Sequence, residues 1–230
     1  MRCLSFFVFI LFCITAFSQE YKSYNQLLKS HVDARGKVDY KKLTASKKQI
    51  DQVLQNWQHI NFYKLRPSAQ LSFLINVYNL ATLKAVVDHY PIKSIKDINN
   101  GKIWDEKSVL LFDKKYSLNE IENQLIRAVH KDARVHFVLN CAAISCPPLL
   151  AEALTETNLE KQLMDRTRKF ILDASQNSFK KDRIVISSIF DWYQKDFGNT
   201  ILFINQFRSP ALPLNTMITY APYDWKLNSQ

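Results

Sequence analysis

The chain has 230 residues, of which 31 are Lys or Arg and 21 Asp or Glu, giving a formal net charge of +10 with 47% hydrophobic content. That is enough apolar material for one sizeable core, and too little charge bias for a disordered chain. Three glycines, where an average composition would supply about 7%, exclude collagen-like, linker-like and turn-dense all-β chains and favour helices.

Met1 and Arg2 precede an almost unbroken apolar stretch from Cys3 to Phe17, the order of a secretion signal. The stretch is too short to span a bilayer with ease, since a spanning helix needs roughly 18 or more apolar residues. Ala16, Phe17 and Ser18 fit a small-x-small cleavage site, so residues 1–18 are read as a removable signal and 19–230 as one globular domain. Cys13 follows the bulky Phe12, which argues against a lipid anchor. The chain is therefore expected to be secreted or periplasmic, with no transmembrane segment once the signal is removed. Removal takes one arginine and no acid and leaves a charge of +9. Such a surface favours anionic envelope components. No basic arm or nucleic-acid motif is present, so nucleic acid is not expected and no dedicated partner is identified.

Tyr24, Leu27, Leu28 and His31 mark one face of an opening helix, and Lys37–Tyr40 reads as a short strand. Ser46 with Gln49 forms a capping box ahead of Ile50, Val53, Leu54 and Trp57 at helical spacing. Pro67 opens a helix to about His89 that is apolar on every side and so belongs at the centre of the domain. Val109–Phe112 and Lys115–Tyr116 read as strands. Ser117 and Glu120 cap a helix with Leu118, Ile121, Leu125 and Val129 inside. Val135–Cys141 has the best strand composition, and Thr157 with Glu160 starts a further helix. Ile184–Ile186 is a strand, Ser188 heads an aromatic helix ending at Gly198, a helix spans about 201–207, and Met217–Tyr220 is a last strand. The fold class is α+β: a helix-rich single domain around a small, mainly antiparallel sheet, of which a papain-like architecture is one form.

The unusual segments are Phe73-Leu74-Ile75-Asn76-Val77-Tyr78-Asn79, Ser117-Leu118-Asn119-Glu120-Ile121-Glu122, and the run from Val135 through His136, Cys141 and Cys146 to Leu149. To these are added Ile189-Phe190-Asp191-Trp192-Tyr193 with Asp196-Phe197, and Tyr223-Asp224-Trp225-Lys226-Leu227-Asn228. In these segments the chain resembles the bacterial branch of the family catalogued as domain of unknown function 547. The resemblance implies no activity.

Cys141 and Cys146, the only cysteines beyond the signal, support three readings. Export and an even count suit a disulfide. A helix opened by Pro147 and running to Ala153 would leave Cys146 at its positive end as a nucleophile, with His136 as base and Asn76 or Asn79 as orienter. A straight strand, however, puts His136 about 17 Å from Cys141 and on the other face. The third reading is two inert buried thiols. A metal site using His130, His136 and both cysteines matches no common ligand spacing, and neither a metal nor a cofactor is expected. Asn76 and Asn79 read first as structural amides. Glu122 and Asp191 read as capping or paired acids, with general acid or base as the functional alternative. Trp192, Tyr193, Tyr223 and Trp225 read as core, with a ligand platform as the alternative. The absence of a Gly-rich phosphate loop, a G-x-S-x-G elbow and an H-E-x-x-H pair disfavours the corresponding hydrolases. The function expected is that of an exported binding or scaffold domain. The alternative is a Cys-His hydrolase or acyl transferase acting on an amide or ester.

Overall fold

The computed structural model describes residues 21–180 and 183–230. The proposed signal, residues 1–18, lies outside them. Among the described residues no helix is long and apolar enough to cross a membrane.

The organising element is α4, Pro67–His89, preceded by α1 (Lys22–His31), α2 (Tyr40–Leu43) and α3 (Lys47–Trp57). Pro67 sits at its first turn, where a missing N–H costs nothing, and every residue from Leu71 to Leu80 is buried. α3 lays its apolar stripe on it and α1 packs in turn on α3; Trp57 meets Tyr24, Tyr21 and Phe73 edge-on at 5.3–5.9 Å between centroids. The box expected at Ser46 is absent, because its hydroxyl is engaged by His31 Nε2 at 3.1 Å. Lys37–Tyr40 makes isolated bridges at Val38 rather than a strand, and Tyr40 already begins α2.

β1 (Val109–Leu111) and β2 (Lys114–Tyr116) form the expected hairpin. The next helix, α5, has three parts: Leu118–Glu120, the π-helical Ile121–Arg127, and Ala128–His130. Its Ser117–Glu120 capping box is present, with both reciprocal bonds made at 2.9 and 3.1 Å. The π turns change which side faces inward. Ile121, Glu122 and Ile126 are buried, while Val129, expected inside, is 62% exposed. A five-residue hydrogen-bond step displaces the α-helical register, which accounts for the difference.

Val135–Cys141 is not a strand. It begins as a 3₁₀ turn, Ala133–Phe137, and continues as irregular chain. The expected helix from Pro147 to Ala153 is likewise irregular, and α6 starts at Leu159 behind Asn158 instead of at a Thr157–Glu160 box. Glu160 pairs with Arg134 at 2.6 Å. β3 (Ser178–Phe179) pairs antiparallel with β4 (Arg183–Ser187), which pairs parallel with β5 (Met217–Ala221). The aromatic helix breaks at Tyr193 into α7 (Ile189–Trp192) and α8 (Gln194–Phe197), and α9 is Thr200–Asn205. The fold is α+β, as composition and periodicity indicate.

Two apolar clusters result. The larger surrounds α4. The smaller joins Phe137, Phe170, Ile184, Ile186, Phe190 and their neighbours under the three-stranded sheet. The irregular run 133–154 passes between them and carries both cysteines.

Candidate functional site

Backbone that forms neither helix nor strand must still satisfy its polar groups when buried. Here side-chain amides do so. Asn79 on α4 donates from Nδ2 to the Val138 carbonyl at 2.9 Å and accepts the Asn140 N–H at 2.8 Å. Asn140 in turn donates to the Pro147 carbonyl at 2.8 Å and accepts from the Ala142 N–H at 3.0 Å. Asn76 clamps Leu154 in the same two-way manner, at 2.7 and 2.9 Å. Both α4 asparagines are therefore structural, and neither orients His136.

Between these clamps the chain turns sharply. Ala142 is held at φ +62°, a left-handed conformation that costs a non-glycine residue about 1–2 kcal/mol. The C-terminal segment locks it: Asn228 N–H donates to the Ala142 carbonyl at 3.0 Å, Ile144 N–H to Lys226 at 2.8 Å, and Tyr40 O–H to Asn228 Oδ1 at 2.8 Å. The turn brings the sulfurs together. Cys141 Sγ and Cys146 Sγ lie 2.8 Å apart, unbonded, with Tyr223 Oη 3.1 Å from Cys141 and the Cys141 N–H 2.8 Å from Cys146 Sγ. The disulfide weighed from export is thus not formed in this structure. Cys146 is buried and Cys141 half-buried.

Burial opposes ionising either sulfur. At Cys141 hydrogen bonding with Cys146, with Tyr223 and with the Ala143 N–H outweighs it and holds the thiol below its usual range. Cys146 is pushed well up by burial and by sharing its proton with Cys141. Without a helix at 147–153, the reason for a low-pKa Cys146 disappears, and the better-poised sulfur is Cys141.

Both sulfurs line a cavity of about 330 Å³ together with Tyr78, Glu122, His136, Tyr193, Tyr223 and the indoles of Trp104, Trp192 and Trp225. Glu122 comes from the π segment of α5. Burial raises its pKa against the hydrogen bonds of Tyr193 and Tyr78, so it tends to hold a proton. His136 meets Asp196 Oδ2 at 2.7 Å through Nε2, which leaves Nδ1 without a partner among the described residues. Burial lowers its pKa to about 4 even against the pull of Asp196, so the ring is neutral at pH 7. Its face stacks on Tyr193 at 3.8 Å, and Arg127 covers Tyr193 at 4.7 Å while pairing with Asp196 at 2.6 Å. No hydrogen bond joins His136 to either sulfur, but the irregular chain puts all three on one cavity, which a straight strand would not.

Trp192, expected in the core, is 49% exposed at this cavity and lies 5.8 Å from Trp225, nearly parallel to it. Asp191 is exposed and does not line the cavity. His130 is also outside it, and no metal-binding group of His, Cys, Asp or Glu occurs among the described residues. Sequence reasoning missed Asn140, Asp196 and Asn228 as parts of the site, and weighed Tyr223 only as core or ligand platform, not as a partner of the sulfurs. All four lie within the segments that resemble the family, but nothing in the spacing of Tyr223 and Asn228 announces contacts with residues more than 80 positions away.

The arrangement defines an α+β protein with a thiol pair, a buried acid and a His–Asp dyad on one cavity. Residues 62–171 match a family model described as "Protein of unknown function, DUF547". That span includes α4, α5 and both cysteines, but not Tyr193, Asp196, Tyr223 or Trp225. No curated protein and no solved structure matches the chain.

Proposed function

We propose that the cavity is the active site of a thiol-dependent hydrolase or acyl transferase for a small ester or amide, with Cys141 as the nucleophile. The supporting observation is the half-buried Cys141 sulfur, held below its ordinary pKa on a cavity that also presents a buried acid with its pKa raised by desolvation and a neutral imidazole. The Cys141 thiolate attacks the acyl carbon, and a C–S bond forms as the bond to the leaving group breaks. Glu122 donates the proton that the departing alkoxide or amine requires, and becomes a carboxylate. Water, deprotonated by His136 at Nδ1, then splits the thioester and releases the acid. This reassigns the nucleophile from Cys146, and the orienting role from asparagine to Asp196.

A second reading, a binding domain without chemistry, draws on the aromatic mouth of Trp104, Trp192 and Trp225, since such rings suit a ligand face as well as a reaction. For location, the charge-then-apolar order of residues 1–17 supports export into a bacterial envelope, and the positive surface supports anionic neighbours there.

The test is turnover of p-nitrophenyl acetate, with iodoacetamide mapping at pH 7 on the same preparation. The expected result is selective labelling of Cys141 and a fall of about 10³-fold or more in kcat/KM for Cys141→Ala, with the fold intact. Labelling without turnover would leave the binding domain as the reading. When the full-length chain is expressed in a secreting host, export predicts Gln19 as the first residue of the product; a retained Met1 counts against it.

A further inference from the structure

We propose that Cys141 and Cys146 form a reversible redox couple, in which Cys141 reacts with a small hydroperoxide and Cys146 resolves the product to a disulfide. The inference does not rest on acyl transfer, although oxidation would silence that chemistry by occupying its nucleophile.

Three features carry it. The sulfurs stand 2.8 Å apart, so a covalent bond of about 2.05 Å requires each to move by only about 0.4 Å. The strained Ala142 turn that sets this separation is fixed by Asn140 and Asn228, so the pair is held by the fold instead of meeting by chance. Access is unequal: Cys141 is half-buried, whereas Cys146 is buried behind it, which suits an attacking and a resolving role. Cys141 also lines the cavity of about 330 Å³, which has room for a small peroxide.

The chemistry balances as follows. The Cys141 thiolate attacks one oxygen of the hydroperoxide, and the S–O bond forms as the O–O bond breaks. The electron pair leaves on the second oxygen, which ends with the proton that the Cys141 thiol gave up, relayed through the Tyr223 hydroxyl 3.1 Å from the sulfur or through water, so that Tyr223 finishes protonated. Cys141 is then a sulfenic acid. Cys146 attacks that sulfur, the S–S bond forms, and the hydroxide expelled takes the Cys146 proton and departs as water. Two thiols and one hydroperoxide give one disulfide, one alcohol or water, and one further water. A dithiol reductant reverses the oxidation.

The experiment uses the reduced full-length chain, desalted without oxygen, treated with one equivalent of hydrogen peroxide at pH 7 and quenched with N-ethylmaleimide. Peptide mapping counts Cys3 and Cys13 separately. The expected peptide carrying Cys141 and Cys146 has lost two hydrogens, takes no maleimide, and regains both thiols after dithiothreitol. In Cys146→Ser, dimedone should trap a sulfenic acid on Cys141. Two fully alkylated thiols in the wild-type chain after excess peroxide overturn the proposal without recourse to a variant. Dimedone on Cys146 in Cys141→Ser, with none on Cys141 in Cys146→Ser, overturns the assigned order. A chain that oxidises as expected but turns over no ester separates failure of the acyl-transfer reading from failure of this one.

Discussion

Glu122 holds its carboxyl where a negative charge is costly: it is 6% exposed, on a π segment, with two tyrosine hydroxyls as its hydrogen-bond partners. Because burial raises its folded pKa above the unfolded value of 4.5, the native state holds the proton more tightly than the unfolded chain. Raising the pH above 4.5 and through the folded pKa therefore charges a buried acid, and stability falls. His136 acts oppositely. Its pKa is held down near 4, so lowering the pH from 6.5 to 4 charges a buried ring and also destabilises. The parent's pH profile sums the two, and only a difference isolates Glu122. Glu122→Gln keeps the shape and removes the charge. Thermal melts should give a higher Tm than the parent at pH 8, by roughly 2–4 °C, the shift produced by about 1 kcal/mol in a chain of this size. The gain should shrink toward pH 4.5. A lower Tm at pH 8 would mean that the ionised carboxylate is stabilised where it sits, and would remove the acid role with it.

At the level of elements, periodicity reveals what repeats. α3, α4, β1 and β4 are legible because each buries apolar side chains in the pattern its period demands, and β2 and β5 because their chains pair with those strands. The cysteine-bearing segment was misread for a matching reason. Val135–Cys141 has the composition of a strand, but its backbone partners are amide side chains on a helix about 60 positions earlier, and no local pattern records that. The buried asparagines were the visible trace of it, since an amide inside an apolar helix needs something to bind. Their targets were not visible. α4 thus works as a scaffold that replaces a neighbouring strand. Asn79→Leu keeps α4 apolar but strands the Val138 carbonyl and the Asn140 N–H, at a cost of about 2–4 kcal/mol. Urea unfolding should show a lower midpoint with an unchanged slope. A midpoint equal to the parent's would show that the segment finds other partners and that the clamp is dispensable.

Over the whole molecule, the last eight residues, Tyr223 to Gln230, connect parts that are distant in sequence. Leu227 N–H donates to Lys93 at 3.0 Å, Ile144 and Ser145 N–H groups donate to Lys226 and Asp224 at 2.8 and 3.2 Å, and Val38 N–H donates to Asn228 at 2.9 Å. The segment therefore joins the N-terminal helices, the loop after α4 and the cysteine turn. It also supplies Tyr223 to the sulfurs and Trp225 to the cavity. Each such bond is worth about 1 kcal/mol net, but together they oppose the strain at Ala142, and the turn has few other anchors. A chain ending at Pro222 should keep α4 and its flanking helices, whose contacts lie in the larger apolar cluster, while the 141–146 turn relaxes. Far-ultraviolet circular dichroism should change little. Iodoacetamide labelling of Cys146, slow in the parent because the sulfur is buried, should rise toward its rate in denaturant, and peroxide should then give sulfenic acid without efficient closure to the disulfide. Unchanged labelling of Cys146 would mean that Asn79 and Asn140 hold the turn unaided, leaving the C-terminal segment to act on the cavity only through its rings.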